Sequence, residues 1–179
     1  MKAIVRAAIV LLAAFYLFLV YAVANPRVSQ EYRDYYILKT TDLSIAQRQG
    51  LAPLQPGRAY GHQEAALGFD GWSAPEPSHR WSNGKRVRLI FRLDAAGAGA
   101  HALVLHVAPL GTQAITWRLN GRQLAVRELD RETELRLAFE PGLLRAGENI
   151  LEIDLPGAHS PGSGDPRLLA LAFKSLRIE

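Results

Sequence analysis

Ile115-Thr116-Trp117-Arg118-Leu119-Asn120-Gly121-Arg122-Gln123-Leu124-Ala125-Val126 decides the fold. On one side of Asn120-Gly121, Ile115, Trp117 and Leu119 alternate with polar residues; on the other, the pattern runs through Leu124 and Val126 to Leu129. A period of two is that of a strand with one buried and one wet face. Asn-Gly takes positive φ at both positions, so it closes a two-residue hairpin whose twist matches its strands. Trp117 falls on the apolar phase and is expected in the core.

The same period recurs outward from this hairpin. Val87, Leu89, Phe91 and Leu93 alternate with Arg88 and Arg92, and Leu103, Leu105 and Val107 follow. Beyond the hairpin, Leu135, Leu137 and Phe139 flank Arg136 before the turn Glu140-Pro141-Gly142. Leu151, Ile153 and Leu155 alternate with Glu152 and Asp154. In the last strand Leu169, Leu171 and Phe173 share a face, whereas Leu176 and Ile178 have the opposite phase, which predicts a bulge near Lys174 or Ser175. Seven short strands with polar turns predict an all-β, antiparallel β-sandwich of jelly-roll type. A parallel α/β sheet is excluded, because its strands read as continuous apolar runs.

Composition narrows the function classes. The chain has 179 residues, 49% hydrophobic and 21% charged, enough for one domain and a short appendage. It has no cysteine, which excludes disulfides, thiolate metal sites and a thiol nucleophile. The formal charge is +4, with Lys2 and Arg6 at the extreme N-terminus and the remaining arginines scattered, so no nucleic-acid footprint is present.

Ala7 to Ala24 carries no charge, with Lys2 and Arg6 before it and Arg27 after. Eighteen residues at helical rise reach roughly 27 Å, close to a bilayer's hydrocarbon thickness. Basic residues ahead of the segment orient that end to the cytoplasm and the rest outside, which in a bacterium is the periplasmic face of the inner membrane. Two readings stand: a retained single-pass signal-anchor, favoured by Phe15, Tyr16, Phe18 and Tyr21, or a signal peptide cut at Ala22-Val23-Ala24. The domains expected are therefore residues 1–25 as anchor or signal peptide, 26–58 as a stalk and 59–179 as the sandwich. Within the stalk, Thr41 to Gln49 predicts a short helix capped by Thr41 or Asp42. Tyr32, Tyr35 and Tyr36 suit either a membrane interface or packing onto the domain.

The loop Gly71 to Gly84 holds Trp72 and Trp81, two of the three tryptophans, among prolines, glycines and small polar residues. Proline lacks a donor and glycine costs backbone entropy, so such a stretch is neither helix nor central strand. Its rings serve either as a packing anchor or as a platform for the C–H face of a sugar. Glu76, Arg80, Asp165 and Arg167 make a carboxylate–guanidinium set joining this loop to the Gly/Ser/Pro loop at 157–166. The set either fixes loop geometry or binds sugar hydroxyls or an anionic sugar group. His79 is the histidine that adjoins the loop's signature, and it completes the candidate ligand set.

No metal site follows from histidine spacing, since His101 and His106 are five apart on a strand and point to opposite faces. Glu76 and Asp165 are the carboxylates a structural Ca²⁺ would use, but no cofactor or metal is predicted. There is no nucleophile elbow, no H-E-x-x-H and no phosphate-cradling glycine loop, so no catalytic residue is assigned.

Several of these elements occur together in a known domain. Gly71-Trp72, Pro75-Glu76, Arg80-Trp81-Ser82 with Gly84, the Asn120-Gly121 hairpin, Ser160-Pro161, Asp165-Pro166-Arg167 and the closing strand Leu168 to Ile178 appear in its order. From roughly Leu43 to Glu179 the chain resembles the galactose-binding-like β-sandwich at the C-termini of bacterial membrane glycosyltransferases and phosphoglycerol-transferase-like proteins. It departs in two respects. His79 stands where that family usually has a small residue, and the sandwich follows one membrane segment rather than a transferase. The resemblance implies a non-catalytic accessory protein of cell-envelope polysaccharide biosynthesis. Its expected partners are a glycan or lipid-linked sugar, and a membrane glycosyltransferase or other envelope protein. The alternative is a purely structural, protein-interaction subunit of a membrane complex that binds no sugar.

Overall fold

The computed structural model describes residues 2–24, 45–95, 97–162 and 164–179. Two sheets face each other across one apolar core. The first contains β1 (Pro53–Leu54), β5 (Arg86–Leu93), β10 (Gly147–Asp154), β7 (Gln113–Leu119) and β8 (Arg122–Leu129) in that order, with β3 (Gly68–Asp70) also paired to β5. The second runs β2 (Ala59–Gly61), β11 (Leu171–Ile178), β6 (Ala102–Pro109) and β9 (Thr133–Ala138), with β4 (Arg80–Trp81) also on β11. From β5 onward the chain changes sheets at every connection except the β7–β8 hairpin.

The seven strands expected from alternation are β5 to β11. Four shorter strands precede them, too brief to carry a period. One corrects the expectation of purely antiparallel pairing, because β1 runs parallel to β5 over Pro53 and Leu54. Leu54 enters the core there, 1% exposed.

Each long strand contributes its apolar phase to the core. Leu89 and Phe91, Leu103 and Leu105, Ile115 and Trp117, and Leu151 and Ile153 are completely buried. Every such side chain removed from water stabilises the sandwich by about 1.5–3 kcal/mol before entropy is charged against it. The bulge in β11 appears as a register shift between Phe173 and Ser175 against β6. It returns Leu176 and Ile178 to the inner face, so both phases of the last strand are buried.

Asn120 and Gly121 take φ of 50° and 85°, and Leu119 pairs with Arg122, so the turn is the two-residue type with positive φ at both positions. Asn120 also donates its amide to the Leu143 carbonyl at 2.9 Å and to Asn149 Oδ1 at 2.8 Å. Asn149 is completely buried on the inward phase of β10 and donates back to the Arg145 carbonyl at 2.8 Å. A polar residue thus holds a core position because its hydrogen bonds are met.

A helix, α1 (Lys2–Ala24), forms over the uncharged N-terminal segment. Its described large side chains are exposed, from 39% at Leu19 to 71% at Leu11 and Leu17. Among the described residues no helix is long and apolar enough to cross a membrane. The short stalk helix is α2 (Ile45–Gln49). Its expected caps Thr41 and Asp42, the tyrosines Tyr32, Tyr35 and Tyr36, and Asn25 after the A-x-A site lie outside the described residues.

Candidate functional site

The loop between β3 and β4 doubles back on itself at one edge of the sandwich. Gly71 sets its path: φ is +76°, and a Cβ there would sit 3.0 Å from the Arg86 carbonyl oxygen. Only glycine accepts that backbone region with β5 so close. Trp72 and Ser82 then meet in an isolated antiparallel bridge. Ser82 is completely buried, and its Oγ accepts from the backbone N–H groups of Ala170 at 3.1 Å and Leu171 at 2.9 Å. The Ser82 N–H also donates to the Leu171 carbonyl at 2.8 Å, so hydroxyl and backbone together stitch the loop to the start of β11.

Trp72 is not at the rim. It is 1% exposed, its ring edge-on to Phe69 at 6.2 Å and to Phe173 at 5.8 Å, and its Nε1 donates to the Arg88 carbonyl at 2.9 Å. The sequence reading offered this side chain to a ligand; the structure places it in the core. Hydrophobic burial and a satisfied indole N–H together account for that. Trp81 stays half-buried, with the His79 ring edge-on at 5.1 Å.

The two loops do meet, through Arg167. Its guanidinium grips Asp165 with Nε at 3.0 Å and the NH2 nitrogen at 2.7 Å, and its NH1 nitrogen donates to Glu76 Oε1 at 3.2 Å. The Arg167 hydrogen bonds hold the Asp165 carboxyl below its ordinary range, and Asp165 and Glu76 push the Arg167 guanidinium up in turn. Glu76 Oε2 lies 3.4 Å from His79 Nε2, and the Glu76 N–H donates to the His79 carbonyl at 2.9 Å, closing the turn between them. Ser78 Oγ is 2.9 Å from His79 Nδ1.

Arg80 departs from the expected set. Its guanidinium carbon stands 4.0 Å above the Phe69 ring, and its Nε is buried without a hydrogen-bond partner among the described residues. Burial pushes its pKa down. Strand alternation explains the swap: Arg80 and Trp81 are neighbours in β4, so their side chains leave on opposite faces. Cation–π contact with Phe69 replaces the carboxylate pair.

Glu76 and Asp165, the carboxylates considered for Ca²⁺, are both held by Arg167. Among the described residues no three His, Asp or Glu side chains gather as a metal site. Of the other histidines, His62 Nε2 is 3.0 Å from the Glu76 carbonyl, and His106 faces Glu132 at 2.7 Å on the outer face of the second sheet. Reading the sequence missed Ser78 and Ser82. Ser82 was visible only as part of the Arg-Trp-Ser signature, and small hydroxyls carry no periodic signal.

The rim therefore consists of the half-buried Trp81, the His79 imidazole and the Glu76–Arg167–Asp165 clamp. No protein-family model matches this chain. No curated protein matches it either. Solved structures do. A salicylyl-acyltransferase, SsfX3, from a tetracycline biosynthetic pathway is 16% identical with a TM-score of 0.45, over 68% of this chain and 39% of that one. A family two carbohydrate esterase from Clostridium thermocellum, in complex with cellohexaose, is 15% identical with a TM-score of 0.41, over 63% of this chain and 31% of that one. The carbohydrate-binding module CBM36, in complex with calcium and xylotriose, is 12% identical with a TM-score of 0.39, over 68% of this chain and 99% of that one. The chain thus spans well under half the length of the two enzymes it resembles and nearly all of the binding module. At these identities and TM-scores the likeness says nothing of shared chemistry, and the all-β sandwich rests on the strand pairing itself.

Proposed function

We propose that this protein is a non-catalytic, galactose-binding-like jelly roll that binds glycan, tethered by α1 to the periplasmic face of a bacterial inner membrane. It would serve a glycosyltransferase in envelope polysaccharide assembly by holding the growing chain. The observation that carries the binding half is the rim itself: a half-buried indole beside a planar guanidinium–carboxylate clamp and an imidazole. Sugars take that combination, with C–H faces on the ring and hydroxyls on planar polar groups. The tether rests on the uncharged Ala7 to Ala24 segment and on the exposed apolar side chains of α1.

A glycan array probed with the full chain in detergent tests this reading. Trp81→Ala is expected to reduce the captured signal at least about tenfold while the melting temperature stays nearly unchanged. A blank array with folded protein sinks the glycan reading.

One observation favours a second reading, partner docking without sugar. Arg167 already donates to both Asp165 and Glu76, so the clamp joins two loops of the same chain before it reaches any ligand. A membrane glycosyltransferase that co-purifies with wild type but not with Arg167→Ala, alongside a blank array, is the outcome expected of docking.

Ser78, His79 and Glu76 stand in the order of a hydroxyl–imidazole–carboxylate relay. All three belong to one short turn, whose backbone bond from Glu76 to His79 they buttress. Ester hydrolysis by the purified chain that disappears in Ser78→Ala would replace binding with acyl transfer.

A further inference from the structure

On the first sheet, away from the Trp81 rim on the second, a cleft of about 310 Å³ opens between Arg88, Asn120, Gly121, Arg145, Ile150 and Glu152. Its size reaches the lower end of ordinary ligand pockets. Strand alternation builds the floor, because Ile150 and Glu152 are on the outward phase of β10 and Arg88 is the direct cross-strand partner of Glu152 in β5. The hairpin tip and the loop before β10 form the walls.

Those walls are fixed in advance. Asn149 is completely buried, and its Oδ1 accepts from Asn120 at 2.8 Å and from the Arg145 N–H at 3.1 Å. Asn120 Oδ1 accepts from the Ile150 N–H at 3.0 Å. Asn120 has spent its amide on this network, so it shapes the cleft and leaves recognition to the charged groups.

The charges are unevenly matched. Arg88 donates from Nε to Glu152 at 3.4 Å and from NH1 to Asp70 at 3.0 Å. Arg145 is exposed, and its Nε donates to the Glu148 carbonyl at 3.1 Å. No carboxylate pairs with Arg145 among the described residues. The cleft therefore presents an uncompensated guanidinium fork, a carboxylate able to accept hydroxyl protons, and an apolar contact at Ile150. A guanidinium fork matches a carboxylate in bidentate geometry. Glu152 lies 3.4 Å from Arg88 and 3.8 Å from both Arg86 and Arg118, so its charge is compensated. Its oxygens keep lone pairs to accept from a hydroxyl, a contact that phosphate without a sugar ring does not reproduce.

We propose that this cleft is a second binding site, specific for a hydroxylated monocarboxylate of the hexuronate type. The ligand's carboxylate sits on Arg145, a ring hydroxyl donates to Glu152, and a C–H face rests on Ile150. The proposal is independent of the Trp81 rim, since the two sites lie on different sheets.

Calorimetric titration of the full chain in detergent tests it with three probes at fixed ionic strength: glucuronate, glucose and inorganic phosphate. Glucuronate is expected to bind at least about tenfold more tightly than either of the others, because a hydrogen bond to a charged group is worth that factor or more. Arg145→Ala should lose at least about tenfold in glucuronate affinity, and Arg145→Lys should recover only part of it, since a point charge replaces a fork. The titrations are repeated in the Trp81→Ala background, where sugar held at the proposed glycan rim no longer contributes, and the preference for glucuronate and its dependence on Arg145 should persist there. Equal affinity for glucuronate and glucose, phosphate binding as tightly as glucuronate, or unaltered binding in Arg145→Ala overturns the proposal. Arg145 is solvent-facing, so a lost signal with an unchanged melting temperature reports the site and not the fold.

Discussion

Trp72 and Trp81 lie in the same loop, yet their surroundings assign them different work. Trp72 meets Phe69 and Phe173 edge-on and donates to the Arg88 carbonyl, so it contributes both buried area and a satisfied donor. Its removal leaves a cavity beside Phe69 and Phe173. Trp72→Ala is expected to cost about 3–5 kcal/mol in chemical denaturation, with Trp81→Ala costing clearly less. Equal losses would mean that both rings serve packing alone. The sequence placed the two tryptophans in one loop and favoured Trp72 slightly as the ligand contact, which its burial reverses. Only the bridge between Trp72 and Ser82, made when the loop folds back, turns the first ring inward and leaves the second at the edge.

Among the elements, β10 shows how a single residue can flag what alternation misses. Asn149, Leu151 and Ile153 share the inward phase, so an amide stands where the period calls for an apolar side chain. That irregularity was legible in the sequence, but its reason was not, because its partners Asn120 and Arg145 lie on other segments. Asn149→Leu takes one of the two acceptors from the Asn120 amide and the side-chain partner from both backbone groups of Arg145. It is expected to destabilise the protein by at least about 2 kcal/mol, more than its own hydrogen bonds would suggest, because the remaining groups stay unpaired. Hydrogen exchange should speed up first in the β7–β8 hairpin and the 143–147 loop; uniform acceleration across both sheets would contradict this local role. The bulge in β11 is the opposite case. The phase change between Phe173 and Leu176 predicted it from sequence alone, since both apolar sets must reach the same core.

For the molecule as a whole, three surface carboxyls are held in their charged form by neighbouring cations, and two of them, Glu132 and Glu179, tie distant segments together. Glu132 is held below its ordinary range first by Lys174 and then by His106. Glu179 is held down by Arg177 and Arg136, and Asp165 by Arg167. A carboxyl whose folded pKa is depressed contributes stability above its unfolded pKa and loses it as pH falls through the folded value. These contributions should be flat near neutrality and decline once pH drops below about 4. The groups are exposed and the pairs are screened, so added salt should shrink the acid effect. Urea midpoints measured from pH 7 to pH 2.5, with and without salt, check both the direction and the window. The proposed tether makes a separate prediction at this scale: after alkaline carbonate washing the full chain should remain with the membrane pellet. Its release into the wash would end the anchor reading and bring a cut after Ala24 to the fore.

By itself the sequence determined the long strands, the hairpin turn, the bulge and the apolar N-terminal segment. These follow from local rules: side-chain period, the φ preference of Asn-Gly, and the length of an uncharged run. Tertiary structure decided which tryptophan is core, which arginine clamps the loops, and where charge is left over. Arg167 found Glu76 across 91 positions, and Arg80 turned to Phe69 instead. The short strands β1 to β4 and the cleft around Arg145 also appear only on folding. Their causes are long-range contacts between segments that carry no period of their own, so no window of sequence contains them.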